Sequence, residues 1–515
     1  MIRNINKTHL TLIGALTSKP YAFKARSWEL KNTETIDLFE SVCSNIRIDT
    51  RGSEIMRILP INNESLNEEW ISDKTRFAYD GLKRKRFINP MIRQNDLFKQ
   101  VSWQKLFEIL NDKFANKSFD NLIVKTGDFN DLESLTALNL LSKATDNIII
   151  NPEDNSENND LQENYLSNNF LETSNDSKKV LIVIGSNIRL ENPILNIRLR
   201  KLSKKRSILV GFIGPKSNEN IDMVHLGNNI NSLFEIVSGK HPFVKTIENF
   251  LKKDNNNQKV DNNLKNKIEL IFGNQFLQLK NKSKIIQALQ TNKLVNAKFN
   301  INTIDSSVGN INSKELGLFS NKKNYKRGSN LYYLLGSETI KGLNENDLVI
   351  YQGTHNEKIR TKFDVILPTL NWTEKSSVYL NCLGIVQKTN IVMSGPTNAR
   401  SDWKIVTMIH KLLEQTKNSL ITKNVETIED INSLHYKVNE LTPNIMESLS
   451  KFNINSNQNL HFSNSKGLQY KTFNNQTNFK SLIPNYYQTN SIDKNSKVMS
   501  DCTDLLNKNI NNFNK

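Results

Sequence analysis

Cysteine is scarce in this chain of 515 residues, which contains Cys43, Cys382 and Cys502 and no other. Because they lie far apart in the sequence, they form no CxxC pair or disulfide framework, and a reducing compartment is indicated. A cubane iron–sulfur cluster takes about four thiolates, usually from a tight C-x₂-C run. The cysteine count therefore argues against a cubane cluster, and it also excludes a Cys₄ zinc site.

Other absences narrow the function further. The longest apolar runs, such as 180–184, are far too short to span a bilayer. The sequence contains no H-E-x-x-H, G-x-S-x-G, Walker or G-x-G-x-x-G motif, and no secretory signal. The first 28 residues lack acids and contain five bases, which superficially suits a mitochondrial presequence.

The net charge is +17 and the isoelectric point is about 9.4. Three partners remain open on this ground: nucleic acid, an anionic membrane surface, or neighbours in a crowded assembly. The densest basic runs, 83–86 and 198–206, contain no interleaved aromatic residues, which disfavours nucleic acid. Asn, Lys and Ile are abundant, and their AT-rich codons favour an AT-rich, organellar genome.

Hydrophobic periodicity predicts an α/β fold with a small β-rich N-terminal part. Segments 44–50 and 54–59 alternate around the turn 51–53 and predict a hairpin that ends at Pro60. Further on, buried strands alternate with amphipathic helices, which indicates βαβ units and a layered sheet. The predicted strands are 121–125, 180–185, 207–214, 331–336, 348–351 and 364–368, and the predicted helices are 103–114, 131–141, 193–204 and 403–413. Beyond about residue 415 the chain is polar and Asn-rich, with helical patches near Asp430 and Val498.

Several residues have both a structural and a functional reading. Cys43 and Cys382 fit small buried core residues better than surviving cluster ligands, whereas Cys502 could face a partner. The turn 185–187 after a strand could hold a phosphate, although such turns are more often plain loops. The remaining candidates are better explained by local structure than by catalysis: His225, His241 and His355 by hydrogen bonding, and Glu374-Lys375 by a buried ion pair.

Several strings resemble the large iron–sulfur subunit of respiratory complex I. The most specific are 68–83 (EEWISDKTRFAYDGLK) and 14–23 (GALTSKPYAF). In the same order along the chain come EIMRILP at 54–60, SGKHPF at 238–243, DVILP at 364–368, TEKS at 373–376 and DWK at 402–404. The resemblance covers nearly the whole chain, and the Asn-rich stretches diverge most.

The resemblance implies that family members bind 4Fe-4S and 2Fe-2S clusters, with a last cysteine in a Cys-Pro-x-Gly-Ala-Leu string. Thr11 stands at that position in the matching stretch 11–16. Asp37, Glu40 and Ser44 stand where some relatives have a C-x₂-C-x₃-C cluster motif, and Cys43 stands where glycine is usual. We therefore expect a split subunit without a long cleaved presequence. We also expect no catalytic, cofactor-binding or metal-ligating residue, and no cofactor on this chain.

The function implied is that of a structural subunit in the NADH-oxidising module of mitochondrial complex I. Electron transfer towards ubiquinone would then run through clusters held by partner chains. The expected partners are a separate ferredoxin-like cluster-bearing polypeptide and other peripheral-arm subunits, with no nucleic acid and with the membrane reached only through the complex. The expected location is the matrix side of the inner mitochondrial membrane, with the mitochondrial genome as a candidate source.

Two alternatives are an active molybdenum or tungsten oxidoreductase and a basic nucleic-acid-binding protein. The expected division of the chain is a docking segment at 1–30, a β-rich domain at 31–86 that resembles the molybdopterin oxidoreductase iron–sulfur domain without its cluster, a molybdopterin-oxidoreductase-like, Rossmann-like α/β body at 87–415 and an extended tail at 416–515.

Overall fold

The computed structural model describes most of the chain. The ranges are 18–151, 178–252, 268–279, 300–318, 328–355, 363–442 and 478–513, with interruptions at 19, 96, 217–219, 338–342, 345, 417, 419, 424, 426–427, 429, 481–482 and 484, and with positions 282, 285, 286 and 289 added. Most of the proposed docking segment, including Thr11, and the Asn-rich stretch 253–267 lie outside these residues. None of the described helices combines the length and the apolar character that a bilayer crossing needs.

The N-terminal part is a three-stranded antiparallel sheet of β1 (Lys31–Ile36), β2 (Asn45–Arg51) and β3 (Glu54–Pro60). The predicted hairpin is confirmed, because β2 pairs with β3 around the turn at Gly52. The buried face of this sheet packs against Trp372 and Tyr379. The sheet is followed by α1 (Asp73–Phe77), whose first turn is capped by the Ser72 hydroxyl.

A seven-stranded sheet forms one half of the body, with the order β5-β4-β15-β14-β13-β6-β7. Its five strands from β15 to β7 are parallel and β4 and β5 are antiparallel. Strands with both faces covered have continuous apolar sequences, which is why the sequence predicts four of them, β6, β13, β14 and β15. The strands are β4 (Met91–Gln94), β5 (Leu97–Gln100), β6 (Asn121–Thr126), β7 (Ile148–Ile150), β13 (Asn330–Leu335), β14 (Leu348–Gly353) and β15 (Val365–Pro368).

A five-stranded, wholly parallel sheet with the order β10-β9-β8-β11-β12 forms the other half. A two-stranded antiparallel ribbon, β16 with β17, accompanies the body. The strands are β8 (Lys179–Ile184), β9 (Ile208–Ile213), β10 (Met223–Gly227), β11 (Ile268–Phe272), β12 (Asn300–Thr303), β16 (Val378–Leu380) and β17 (Val386–Lys388).

Helices connect and flank these strands. The four predicted helices are present as α2, α3, α5 and α10, within two or three residues of the predicted ends, and the mixed α/β class is confirmed. The helices are α2 (Trp103–Asn116), α3 (Leu132–Ala144), α4 (Ile188–Glu191), α5 (Pro193–Lys204), α6 (Ile230–Val237), α7 (Phe243–Lys252), α8 (Asn274–Leu277), α9 (Val308–Glu315), α10 (Asp402–Gln415), α11 (Ile431–Leu441), α12 (Ser491–Asn495) and α13 (Lys497–Phe513).

The C-terminal helices return to the N-terminal part. The side chain of Asp80 accepts hydrogen bonds from the Ser496 hydroxyl and from the backbone N–H of Lys497, at 2.8 Å for the latter. Gly81 lies against the chain at Ile492 so closely that a Cβ there would be 2.3 Å from the Ile492 carbonyl oxygen. The first and last described parts of the chain therefore form one packed unit with the body.

Candidate functional site

A cleft of about 560 Å³ lies where parallel strands of the seven-stranded and five-stranded sheets end. Asp128 and Phe129 follow β6, Asn274 follows β11, and Asp305 follows β12, and all four line the cleft. The carboxyl edge of a parallel sheet is the usual location of ligand sites in open α/β folds, because the loops there converge. The cleft is therefore the first candidate for a binding site.

The N- and C-terminal parts of the chain close this cleft. Phe39 from the loop after β1 and Lys74 of α1 line one part of it, and residues of the segment 485–494 line another. A second cavity of about 270 Å³ shares Asp128, Phe129 and Lys494 with the first and adds Lys125 at the end of β6. The two cavities form neighbouring compartments of one polar region.

Lysines from different elements line the larger cavity: Lys74, Lys282, Lys314 and Lys494. Its acidic lining consists of Asp128, Glu191 and Asp305. None of these residues is predicted from the sequence as part of a site. The position of Asp128 shortly after a predicted strand could have indicated that it belongs to a site. The lysines gave no such indication, because they come from helices that are distant in sequence.

Asp305 and Glu191 are held by hydrogen bonds from neighbouring groups. Asp305 accepts from the Lys314 ammonium at 2.6 Å and from the Ser307 backbone N–H at 3.1 Å. Glu191 accepts from the Ser186 hydroxyl at 2.8 Å and from the Asn187 backbone N–H at 3.1 Å. Both donors of the turn 185–187, the Ser186 hydroxyl and the Asn187 backbone N–H, are therefore bonded to Glu191. This supports the interpretation of the turn as a plain loop over its interpretation as a phosphate site.

The segment between β1 and β2 is buried throughout. Asp37, Glu40, Cys43 and Ser44 are each at most 1% exposed. Cys43 adopts a left-handed backbone conformation with φ of +54°, which few residues other than glycine adopt readily. Burial, with the nearby Cys382, raises the pKa of the Cys43 thiol well above its usual range. A buried thiol with a raised pKa is unreactive, as a core role predicts.

Backbone and amide contacts fix this segment to the body. The Cys382 backbone N–H donates to the Ser41 carbonyl at 2.8 Å, and the Gln387 amide donates to the Cys43 carbonyl at 3.1 Å. Cys382 is itself buried, and its pKa is raised to about 12 by burial. Both cysteines are thus core residues, as predicted. Cys502 on α13 is partly exposed.

Three buried carboxyl groups surround Lys74. Burial raises the pKa of Asp37 to about 6, against hydrogen bonds from Thr75 and Phe39. Burial and the charge of Asp37 raise the pKa of Glu40 to about 8, and burial raises that of Asp493 to about 7. Only part of this group is ionised near neutral pH, because one ammonium cannot compensate three buried carboxylates.

Glu374 and Lys375 are buried, but each has a different partner and they do not form the pair suggested by the sequence. Glu374 forms a bidentate ion pair with Arg86, and Lys375 bridges Asp131 and Asp402, at 2.6 Å for the latter. Burial alone would raise the pKa of Asp131 and lower that of Lys375, but their mutual attraction outweighs it in both cases. These contacts join the segment before β4, the N-terminus of α3 and α10 to the loop before β16.

The predicted structural histidines make hydrogen bonds to their surroundings. His225 contacts the Gly214 carbonyl at 2.9 Å, and His241 accepts from the Phe243 backbone N–H at 3.1 Å. His355 is fully buried beside the Thr354 hydroxyl, and burial with the charge of Arg86 lowers its pKa to about 3.

One arginine in each of the two basic runs is largely buried. Arg198 donates to the carbonyls of Ser65 and Leu66, at 3.0 Å for the latter. Arg86 is in the ion pair with Glu374. These two guanidinium groups are therefore used inside the fold and are not part of a basic surface.

Two segments match known protein families. Residues 86–412 match molybdopterin oxidoreductase, and residues 30–80 match the 4Fe-4S domain of the NDSU1/NuoG-like subunit of NADH-ubiquinone oxidoreductase. Three curated relatives extend the similarity to almost the whole chain. The 75 kDa subunit of NADH-ubiquinone oxidoreductase from Reclinomonas americana is 36% identical over 97% of this chain and 72% of its own length.

The other two relatives have the same pattern. The mitochondrial iron-sulfur protein 1 of NADH dehydrogenase from Solanum tuberosum is 33% identical over 96% of this chain and 64% of its own length. The 78 kDa mitochondrial subunit of NADH-ubiquinone oxidoreductase from Candida albicans is 31% identical, over 97% and 68%. The chain thus spans roughly two thirds of these relatives.

The match at 30–80 corrects one expectation. The prediction that this chain itself carries no iron–sulfur cofactor is wrong, because this segment belongs to a 4Fe-4S domain family and the Solanum relative is named as an iron-sulfur protein. The expectation was based only on the small number of cysteine residues that could act as cluster ligands.

The side chains present do not complete a site for either implied cofactor. Residues 30–80 contain one thiol, Cys43, whereas a cubane takes about four. In the described ranges no group of three or more His, Cys, Asp or Glu residues could hold a metal ion, and the described lining of the cleft has neither cysteine nor histidine to offer molybdenum. We therefore derive no electron-transfer step through a cluster or a molybdenum centre.

Proposed function

The chain belongs to the family of the 75 kDa subunit of NADH-ubiquinone oxidoreductase, respiratory complex I, and we propose that it works as a subunit of the NADH-oxidising module of that enzyme in the mitochondrion. The supporting observation is the identity of 36% over 97% of the chain, with the two family segments in order. The chain therefore acts in the respiratory chain as part of an oxidoreductase. Neither alternative function gains support from these relatives.

The role that the structure supports for this chain is rigid support. Electron transfer between redox groups requires fixed spacing, and a preorganised protein frame provides it. Here the segment 36–44 is attached to the body at Cys382 and Gln387, and Asp80 attaches the C-terminal helices to the same part. The buried ion network around Lys375 joins α3, α10 and the loop before β16 within the body.

We test this proposal in mitochondria that contain a tagged version of the full chain. The chain should copurify with the other NADH-oxidising subunits, and its depletion should abolish NADH:ubiquinone activity while succinate oxidation continues unchanged. A chain that migrates alone, with NADH oxidation intact after depletion, would refute the proposal. Separately, iron and labile sulfide measured on the purified chain report on its own cluster content.

We also propose a finer arrangement. A ferredoxin-like cluster-bearing polypeptide docks on the N-terminal sheet, on the matrix side of the inner membrane. This is supported by the exposed aromatic residues Phe23 and Trp28, 104% and 77% exposed, which precede β1. Strand β1 is also the edge of its sheet, and an edge strand has backbone groups available to a partner. Phe23, Trp28 and the edge strand β1 are together called the docking strip below.

The four-part division at residues 30, 86 and 415 and the absence of a catalytic residue in this chain also remain proposals. The described structure supports a β-rich part before residue 86, since the N-terminal sheet, α1 and the short 3-10 helix Ala78–Leu82 precede it. Limited proteolysis followed by mass spectrometry tests the boundaries, because cleavage should concentrate near them and leave the segments between them intact.

A further inference from the structure

We propose that the exposed C-terminal end of α5 is a docking site for an acidic segment of a neighbouring protein subunit. Its side chains, called the basic end of α5 below, are Lys201, Lys204, Lys205 and Arg206. They lie just before β9, at the amino edge of the five-stranded sheet and away from the cleft. The inference rests on the proposed function, since the partner is taken to be another subunit of the same complex.

The basic end of α5 is exposed, and most of its charge is uncompensated. Lys201 pairs with Glu68 at 3.0 Å. The other three bases form no ion pair with a carboxylate in the part of the chain that the structure describes. The surrounding segment 192–218 contains no acidic residue. Free positive charge therefore remains for a partner of opposite charge.

Arg206 occupies a position at which glycine is preferred. The N–H of Ser207 donates to the Leu202 carbonyl at 3.3 Å, and the N–H of Arg206 donates to the Ser203 carbonyl at 2.9 Å. These are the two hydrogen bonds of a Schellman motif, in which the residue after the helix is left-handed. The φ of Arg206 is +56°, a conformation that a Cβ disfavours. A side chain held there against its backbone preference indicates a function for that side chain.

Stabilisation of the helix does not explain the number of bases. A cation in the last turn interacts favourably with the exposed carbonyl groups of the helix. However, Lys204 and Lys205 follow Lys201 by three and four positions, and like charges at these spacings repel each other on a helix surface. An acidic partner would remove this repulsion and form charge-assisted hydrogen bonds with the same groups.

The surroundings favour an acidic protein over a membrane or a nucleic acid. No residue of α5 or of the turn after it is among the large apolar side chains that are strongly exposed in the described chain. An interfacial membrane helix needs such side chains as anchors. The segment 193–207 also contains no aromatic residue on which a base could stack.

Carbodiimide crosslinking of complex I purified from mitochondria tests the proposal in the assembly. The reagent forms an amide directly between a lysine amine and a carboxyl group that contacts it. Mass spectrometry should find Lys204 or Lys205 joined to an aspartate or glutamate of another subunit. The crosslink between Lys201 and Glu68 is the internal control. This control without any crosslink from Lys204 or Lys205 to another subunit would overturn the proposal.

Binding of octaglutamate, labelled with fluorescein and followed by anisotropy, tests the site in the purified full chain. The triple variant Lys204→Gln, Lys205→Gln, Arg206→Gln should weaken binding about tenfold, because three exposed charge contacts are lost. The matched control is the triple variant Lys83→Gln, Arg84→Gln, Lys85→Gln. These side chains are also exposed and have the same total charge. No binding, or an equal loss in the control, would refute the location.

The single variant Arg206→Gly separates binding from folding. Glycine adopts the left-handed conformation readily, so the melting temperature should stay the same or rise. Binding of octaglutamate should weaken about twofold or more, because one exposed charge contact is lost. A lower melting temperature with unchanged binding would show that this side chain has a structural role only.

Two further probes distinguish the kind of partner. Vesicles containing phosphatidylserine and single-stranded polyuridylate are compared with octaglutamate at the same salt concentration. Tighter binding of either probe, lost in the triple variant at 204–206, would overturn the assignment to an acidic protein. If the chain is absent from purified complex I, the proposed function fails, and the peptide measurements still decide whether the basic end of α5 binds acidic segments.

Discussion

At the scale of single residues, Lys375 is the most consequential buried charge in the described chain. Its ammonium holds Asp131 and Asp402 together, and all three side chains are nearly inaccessible to water. A buried pair is weak evidence for stability as such, but removal of one partner leaves an uncompensated charge in a medium that solvates it poorly. The position is therefore sensitive to truncation.

Lys375→Met should lower the free energy of unfolding by about 3–5 kcal/mol, because two carboxylates lose their counter-ion. Urea denaturation of the purified chain measures this. Lys423→Met is the matched control, and it should cost less than about 1 kcal/mol because its ion pair with Asp146 is exposed. Similar losses of unfolding free energy for the two variants would show that the buried ion pairs stabilise the fold no more than an exposed ion pair does.

Glu40 should make the stability of the chain depend on pH. Its pKa is raised from 4.5 to about 8, mainly by burial and next by Asp37. Between these two values the folded state binds more protons than the unfolded state, so stability falls as the pH rises from about 5 to about 8. Asp37 and Asp493, whose pKa values are also raised by burial, add to this slope.

Glu40→Gln should flatten that dependence, since the amide has no proton to lose. We expect the free energy of unfolding to change little at pH 5 and to increase at pH 8, on the order of 1 kcal/mol or more. The melting temperature at each pH reports the change. Exposed Glu235 provides the control, and Glu235→Gln should leave the slope as it is. An unchanged slope in Glu40→Gln would mean that this carboxyl is ionised throughout.

At the scale of elements, local signals predicted much of the fold. Pro193 at the first position of α5 and the continuous apolar sequence of β8 gave bounds within a residue or two. Strands β7, β10 and β12 were missed because they are short or of mixed polarity, so periodicity offered too little to read.

The buried ion pairs and hydrogen bonds between distant elements were beyond local signals for a different reason. Glu374 meets Arg86 across 288 positions, and Lys375 meets Asp131 across 244. Arg198 donates hydrogen bonds to the backbone carbonyls of Ser65 and Leu66, and the helical pattern of α5 does not indicate these partners. Such partners are set by the packing of distant elements. The expectation that this chain carries no iron–sulfur cofactor was also wrong. It was based on the cysteine count, and the match of residues 30–80 to a 4Fe-4S domain family contradicts it.

The junction between the Ala78–Leu82 helix and α12 yields a prediction about elements. A Cβ at Gly81 would meet the Ile492 carbonyl oxygen at 2.3 Å, and backbone cannot yield as a flexible side chain does. Gly81→Ala should therefore displace α12 and α13 and destabilise the chain by about 1–3 kcal/mol. Faster tryptic cleavage after residue 480 measures the displacement. Gly52→Asn is the control, because open space surrounds Gly52 and asparagine tolerates its φ of +59°.

At the scale of the whole molecule, rigidity and exposure are distributed differently. The body and the C-terminal helices are joined by buried contacts, whereas large aromatic side chains before β1 are in solvent. A large exposed aromatic group costs free energy unless a partner covers it. Aromatic residues also dominate the binding energy of interfaces. These side chains therefore support the proposal that an assembly partner binds next to the 4Fe-4S family segment.

The double variant Phe23→Ser, Trp28→Ser should weaken attachment of the cluster-bearing partner to the docking strip while the body stays folded. We expect a loss of about 2 kcal/mol or more in binding, because two aromatic anchors are removed. Native electrophoresis of mitochondria with the variant would show less assembled complex I, with an unchanged melting temperature of the purified chain. Leu97→Ser is the control, since Leu97 is 70% exposed at the edge of the other sheet. Normal assembly in the double variant, or equal loss in the control, would place the partner elsewhere while leaving membership of the complex untouched.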